Sequence, residues 1–359
     1  MVLPYLGLIQ AVRGYSLRPL INAVGALIIF CAAMLVPSQS WACASCGCTL
    51  SSDAALGYST TSGWRLNFEY DYINQNELRS GTQTAGPSQV VNNPSNPALG
   101  GGEIEHTTLS RYYTVGLAYS PNADWRFDLR VPYIQRDHWT FGNHQPPYTP
   151  AESAPDQLSS ARVSGLGDIK LIATYQGFLP MRNLGVQLGL KLPTGTSGTQ
   201  VKFASGPNGG TALDASVQAG TGSTDIIVGG YYHQPISLYV DAFANGQFQS
   251  AITHAPNEPG NDFRPGNSTT LSFGVRYARS QQWIPGLQVN VLRKSADQGA
   301  LADTTDSAGT VAYLSPGLIA QATDRLQAFG FVQVPIFSNL SGYQLLPHWT
   351  VSAGLSYAF

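Results

Sequence analysis

From Trp64 onward, apolar and polar residues take turns at every second position in one stretch after another. Trp64, Leu66, Phe68, Tyr70 and Tyr72 alternate with Arg65, Asn67, Glu69 and Asp71. Trp125, Phe127, Leu129, Val131 and Tyr133 alternate in the same way with Arg126, Asp128 and Arg130. Leu184, Val186, Leu188, Leu190 and Leu192 do so with Gln187 and Lys191. Successive side chains of an extended strand point to opposite faces, so each stretch predicts a ribbon with one apolar and one polar side. The last stretch puts Trp349, Val351, Ala353, Leu355, Tyr357 and Phe359 on one face, and Thr350, Ser352, Gly354 and Ser356 on the other.

The punctuation between these stretches has its own rhythm. Polar segments rich in Gly, Pro and Asn fall near 80–104, 139–164, 194–222, 249–266, 295–309 and 337–347. Between them lie tight turns at Ser120–Ala123, Pro180–Asn183, His233–Ile236, Gln282–Gly286 and Ala322–Asp324. Six long and five short connections join about twelve strands, and the count falls to ten if the weakly alternating stretches 223–233, 310–321 and 325–336 fail to form strands. An even number of antiparallel strands, with short turns at one end and long loops at the other, is the plan of a transmembrane up-and-down β-barrel. The long loops would then lie outside the cell and both ends in the periplasm.

Composition sharpens this. Charged residues make up 11% of the 359 positions, against about 25% in ordinary soluble domains. Mean hydropathy is only −0.07, and after Val36 no apolar run approaches the ~18 residues of a membrane-spanning helix. A membrane chain without such helices must close its backbone hydrogen bonds in a barrel. A secreted β-sandwich also alternates, but it has no reason to alternate long with short loops, and its outer face would carry Lys and Glu more than Gly, Ser, Asn and Thr. The net charge of −2 and the lack of a basic run argue against a nucleic-acid partner.

The amino-terminal residues 1–42 read as a signal peptide: Arg13 and Arg18 precede the apolar stretch Leu20–Val36, and Ser40 and Ala42 offer small residues for cleavage after Ala42. An uncleaved inner-membrane anchor is the alternative. Residues 43–62 then form a periplasmic tether holding Cys43, Cys46 and Cys48, and 63–359 the barrel. Three thiols within six residues suit copper or zinc, or a redox disulfide; the simpler reading is one disulfide and a spare thiol. Gly47 stands where a c-type haem site needs His.

The segments SGLGDIKLIATYQ (164–176), LGLKLPTG (188–195), GTGSTDIIVGGYY (220–232) and QVPIFSNLSGYQLLPHWTVSAGLSYAF (333–359) resemble the outer-membrane transporter family labelled "MetA-pathway of phenol degradation". The resemblance implies a barrel and passage of aromatic or other hydrophobic compounds, and brings no binding residues. The C-terminal segment ending in Trp349, Tyr357 and Phe359 looks like the signal read by the barrel assembly machinery. The cysteine tether is similar, over its own length alone, to barrels that sheathe outer-membrane cytochromes.

Arg65, Glu69, Asp71, Arg126, Asp128, Arg130, Asp168, Lys170, Lys191, Asp241 and Arg276 all fall opposite the apolar face and are expected in the lumen. Exposing Arg or Lys to lipid near the midplane would cost about 2–4 kcal/mol each. Their signs balance along each strand, which favours a self-satisfying network over a conduction ladder. Twelve strands leave a narrow pore. The expected function is therefore an outer-membrane channel for small, hydrophobic or aromatic solutes in a Gram-negative bacterium. The alternative is a non-conducting scaffold that engages a periplasmic metal, redox or electron-transfer partner through its cysteines. The histidines at 106, 138, 144, 233, 254 and 348 form no catalytic signature, and no enzyme is expected.

Overall fold

The computed structural model describes residues 62–91, 103–142, 158–201, 211–253, 263–280, 282–300 and 302–359. Period-two stretches offer a helix no apolar stripe, and extended chain dominates. The one helix among the described residues is the single turn α1 (Pro87–Val91). The first seven strands are β1 (Gly63–Gly81), β2 (Gln83–Thr84), β3 (Glu103–Ser120), β4 (Trp125–Gly142), β5 (Leu158–Leu166), β6 (Ile169–Tyr175) and β7 (Leu184–Leu192). There follow β8 (Gln200–Val201), β9 (Thr211–Ala212), β10 (Asp225–Pro235), β11 (Val240–Ala251) and β12 (Ser268–Tyr277). The chain ends with β13 (Trp283–Lys294), β14 (Gly309–Gln321) and β15 (Leu326–Ala358).

Eleven strands close into an antiparallel ring in the order β1-β3-β4-β6-β7-β10-β11-β12-β13-β14-β15, and β15 pairs back onto β1. Two more strands, β2 on β1 and β5 on β4, are paired to members of the ring but lie off it, and β8 pairs with β9 apart from it. The β15 run is 33 residues long, which at ~3.3 Å per residue would reach about 110 Å, far beyond a ~30 Å hydrocarbon layer. It folds back instead. Gly342 takes φ +49, a conformation that favours glycine, and Ala358 N–H donates to Arg325 O at 2.8 Å across the two arms. One arm pairs with β14 and the other with β1, both registers meeting at Leu340, so the wall is crossed twelve times.

This corrects the long loop expected over 337–347, which is a tight hairpin inside continuous strand. The turn expected at Gln282–Gly286 also moves, because Trp283–Gly286 already belongs to β13. The weakly alternating stretches all form strands. One stretch is broken: β5 and β6 lie end to end along β4, separated by Gly167 and Asp168, and the inward parity shifts there from Ala161 and Val163 to Ile172 and Thr174.

Outward positions carry exposed large apolar side chains such as Leu66, Phe68, Leu117, Phe127, Leu188, Leu190 and Leu355. Aromatic pairs gather at the short-turn end, with Trp64 against Tyr119 (4.5 Å between ring centres), Trp125 against Tyr175 (4.9 Å) and Tyr357 against Phe359 (5.1 Å). A second level holds Tyr70 against Tyr113 (5.1 Å) and Tyr72 against Trp349 (5.6 Å). Trp64 and Tyr72 are about 26 Å apart along the strand, which the usual tilt reduces to roughly 20 Å, near the ~25 Å apolar band of membrane barrels.

At the long-loop end the hairpin tip rests on the connection 295–308. Ser341 N–H donates to Ala308 O at 2.8 Å and Tyr343 N–H to Asp306 Oδ1 at 3.1 Å. Burial, helped by Asp303, pushes the Asp306 carboxyl up from 3.8 to about 6. Its charged form is thus disfavoured by folding. The contribution to stability is greatest below about pH 4, falls as pH rises through about 4 to 6, and is level above that. Asp306→Asn keeps the acceptor for Tyr343 and should flatten this slope. Thermal loss of the heat-modifiable band, followed from pH 4 to pH 7, checks it; an unchanged slope in the variant sinks the assignment.

Candidate functional site in the lumen

The inward face is built by register. Even positions of β4 and β6 and odd positions of β1, β7 and β10 turn inside, because their neighbours in sequence carry the exposed apolar side chains. In that register Arg130 of β4 stands opposite Lys170 of β6, Lys170 opposite Lys191 of β7, and Lys191 opposite Asp225 of β10. Three adjacent cations repel, so the row needs carboxylates.

The structure supplies them as a knot around Lys191. Its Nζ lies 3.2 Å from Asp168 Oδ2 and 3.1 Å from Asp225 Oδ2, with side-chain exposures of 5% for Lys191, 7% for Asp168 and 3% for Asp225. It also donates to Ser223 Oγ at 3.1 Å and to Thr221 Oγ1. Asp168 accepts Gly195 N–H and Thr221 N–H, each at 3.0 Å. Asp225 accepts Ser223 Oγ–H at 2.6 Å and Gln249 Nε2–H at 2.5 Å. Asp168 can reach this point because it sits in the break between β5 and β6, free of strand parity.

The other expected residues are distributed around the ring. Arg126 binds Asp128 through Nη2 (2.6 Å) and Nε (3.0 Å), both buried. Arg276 of β12 is 3.6 Å from Asp241 of β11, its register partner. Arg65, Arg130 and Lys170 are half-buried, and Glu69 is buried. Asp71, 1% exposed, accepts Ser352 Oγ–H at 2.5 Å across the seam between β1 and β15.

Opposite the charges the inner wall turns apolar. Val311, Tyr313, Leu340 and Leu346 cluster toward the long-loop end, and Ile319, Phe329 and Phe331 toward the short-turn end. Polar residues remain among these clusters, with Ser315, Gln333, Thr350, Ser352 and Ser356 buried on β14 and β15.

Three elements escaped sequence reasoning. Asp225 was absent from the expected set; it begins β10, in the weakly alternating stretch 223–233. Arg136 continues the even-numbered series Arg126, Asp128, Arg130 along β4, was likewise absent from the expected set, and is buried. Part of the connection between β7 and β10 packs on inward-facing residues of the wall. His138 is a buried residue of β4. Thr108 Oγ1 (2.8 Å) and Glu105 Oε2 (3.8 Å) both approach its Nδ1, so the ring cannot relay a proton from one to the other.

Among the described residues no group of three or more His, Cys, Asp or Glu is arranged to hold a metal. Cys43, Cys46 and Cys48, with the copper, zinc or redox role weighed for them, lie outside the described residues, as do the signal peptide and all but the last residue of the tether.

No protein-family model matches the chain, and no curated protein sequence does. The membership suggested by the Gly-, Pro- and Asp-punctuated segments stays a resemblance. Among solved structures the fold is similar to an outer-membrane channel from Pseudomonas putida F1, with a TM-score of 0.56 at 10% identity, covering 83% of this chain and 96% of that one. The translocator domain of the autotransporter NalP from Neisseria meningitidis gives 0.48 at 9% identity, over 86% of this chain and 92% of its own. The monoaromatic hydrocarbon channel CymD gives 0.44 at 10% identity, over 83% and 89%. At such identities the first likeness speaks for architecture, an all-β closed barrel, and for nothing finer.

Proposed function

We propose that the protein is an outer-membrane channel of a Gram-negative bacterium that lets small, hydrophobic or aromatic solutes cross passively. The observation that carries this reading is the closed ring whose outer face is apolar and whose inner face is part charged, part apolar. A ring sealed by β15 on β1 leaves no strand edge for lipid to meet, and the polar positions are affordable only inside. The long connections then face the exterior, and the short turns and both chain ends the periplasm. The inner face carries apolar clusters on β14 and β15 as well as the Lys191 ion pairs, a mixture that suits a solute with an aromatic ring and a polar group. Outer-membrane lipid and the assembly machinery are its other partners, the latter through Trp349, Tyr357 and Phe359.

Purified protein in planar bilayers should give discrete openings. In proteoliposomes phenylalanine should enter several-fold faster than glutamine, a zwitterion of similar size without the ring. Equal rates would remove the aromatic preference, and silence in both assays would remove the channel.

A further inference from the structure

The connection between β7 and β10 does not stay at the mouth of the barrel. Leu213, Val217 and Ala219 join one buried cluster with Ile73 of β1, Tyr112 of β3, Ile134 of β4, and Ala161 and Val163 of β5. These wall residues all lie on the inward parity of their strands. The segment therefore turns inward over the inner face of β5, β4 and β3, toward β1.

The turn is a preformed unit. Ser216 N–H donates to Asp214 Oδ1 at 2.7 Å and Val217 N–H to Asp214 O at 3.0 Å. The Gln218 amide takes the place of a backbone peptide: it accepts Thr199 N–H at 3.1 Å and donates to Thr199 O (3.0 Å) and Leu213 O (3.1 Å). The two legs of the connection touch at Gly195 and Gly220, where a Cβ on Gly195 would come 2.5 Å from the Cα of Gly220. The Lys191 knot holds the same point from below through Gly195 and Thr221.

What holds the tip is Arg136, 3% exposed. Nε donates to Ser110 Oγ at 2.9 Å and Nη2 to Tyr112 Oη at 2.6 Å, which fixes the guanidinium on the wall. Nη1 donates to the carbonyls of Val217 and of Gln218, the latter at 3.3 Å. These acceptors are all neutral oxygens. A buried cation in such surroundings depends on each of them in place of water, and only a rigid fork of donors reaches wall and turn together.

We propose that the turn Leu213–Gly220 is the constriction of the channel and that Arg136 is the positioning residue that sets its aperture, an inference that rests on the channel reading above. Twelve crossings leave a narrow lumen, and an inward turn across it decides what passes. Release of the turn widens the path without opening the wall.

The test pairs hydrogen exchange of the 213–220 peptide with single-channel conductance, on heat-modifiable protein in lipid. In Arg136→Ala, exchange should rise at least tenfold and conductance several-fold. Arg136→Lys, which keeps the charge and loses the fork, should fall between this variant and wild type. Leu213→Asp unseats the apolar face with Arg136 intact, and serves as the second route if Arg136→Ala does not fold; it should also raise both. Unchanged exchange in Arg136→Ala would show that Arg136 does not hold the turn and overturns the proposal. Faster exchange with unchanged conductance, in a protein whose wild type conducts, overturns the constriction and leaves the channel standing. Faster exchange with no conductance in any form overturns the channel reading itself, and the constriction with it.

Discussion

Replacing Lys191 by Met should destabilise the folded barrel by about 3–5 kcal/mol, the cost of leaving buried carboxylates without their cation. Met matches the length of the aliphatic stem, so little packing is lost and the effect is electrostatic. Asp168 and Asp225 would face each other across the space the ammonium now fills, 3.2 and 3.1 Å from it. Thr221 and Ser223 would lose a donor as well. The triple variant Lys191→Met, Asp168→Asn, Asp225→Asn removes all three charges and should recover part of the loss, because Gly195 N–H, Thr221 N–H and Gln249 still find oxygen acceptors. Urea titration of barrels in vesicles, read by loss of the heat-modifiable band, measures both. A change under about 1 kcal/mol in the single variant would mean that water reaches the knot and screens it.

Leu188→Arg should cost about 2–4 kcal/mol in the same assay. Leu188 is 59% exposed in the middle of β7, between its register partners Ala173 and Val228. On a protein surface bathed in water such a change stays within roughly 0.5 kcal/mol. The large penalty arises only if that surface meets hydrocarbon. A near-neutral result would therefore place the outer face in water and overturn the membrane reading of the barrel.

Much of the wall was legible from alternation alone, because a residue's face in a strand depends only on its parity. Arg126, Asp128 and Arg130 could be assigned inward without knowing any neighbour. The failures share a cause: Gly, Ser and Asn punctuate a two-residue hairpin and a long loop alike. The stretch around Ser338–Gly342 therefore read as loop, when one glycine at positive φ reverses the chain. Gly167 and Asp168, between the expected loop 139–164 and the turn at Pro180–Asn183, read as strand, when they interrupt one. Composition is also silent on direction, so nothing in Leu213, Val217 and Ala219 says whether their segment leans out or in. Their partners, from Ile73 to Val163, come together only when the ring exists. Asp225 is likewise 34 positions from Lys191 in sequence and becomes its neighbour through the pairing of β10 with β7.

The seal between the first and last strands has a consequence for how the chain is made. Most other wall contacts join strands that follow one another, whereas Arg65 pairs with Ala358, 293 positions later. Bringing such distant ends together costs about 3 kcal/mol more entropy than closing a hairpin of a dozen residues, so local hairpins zip first and the seam forms last. Until the second arm of β15 pairs with β1, both edges stand open, each a template for a foreign strand. Closure is thus a single commitment: losing the arm of β15 that pairs with β1 strands the whole chain as an aggregation-prone sheet, while a deletion of similar size in an exposed connection leaves the circuit intact.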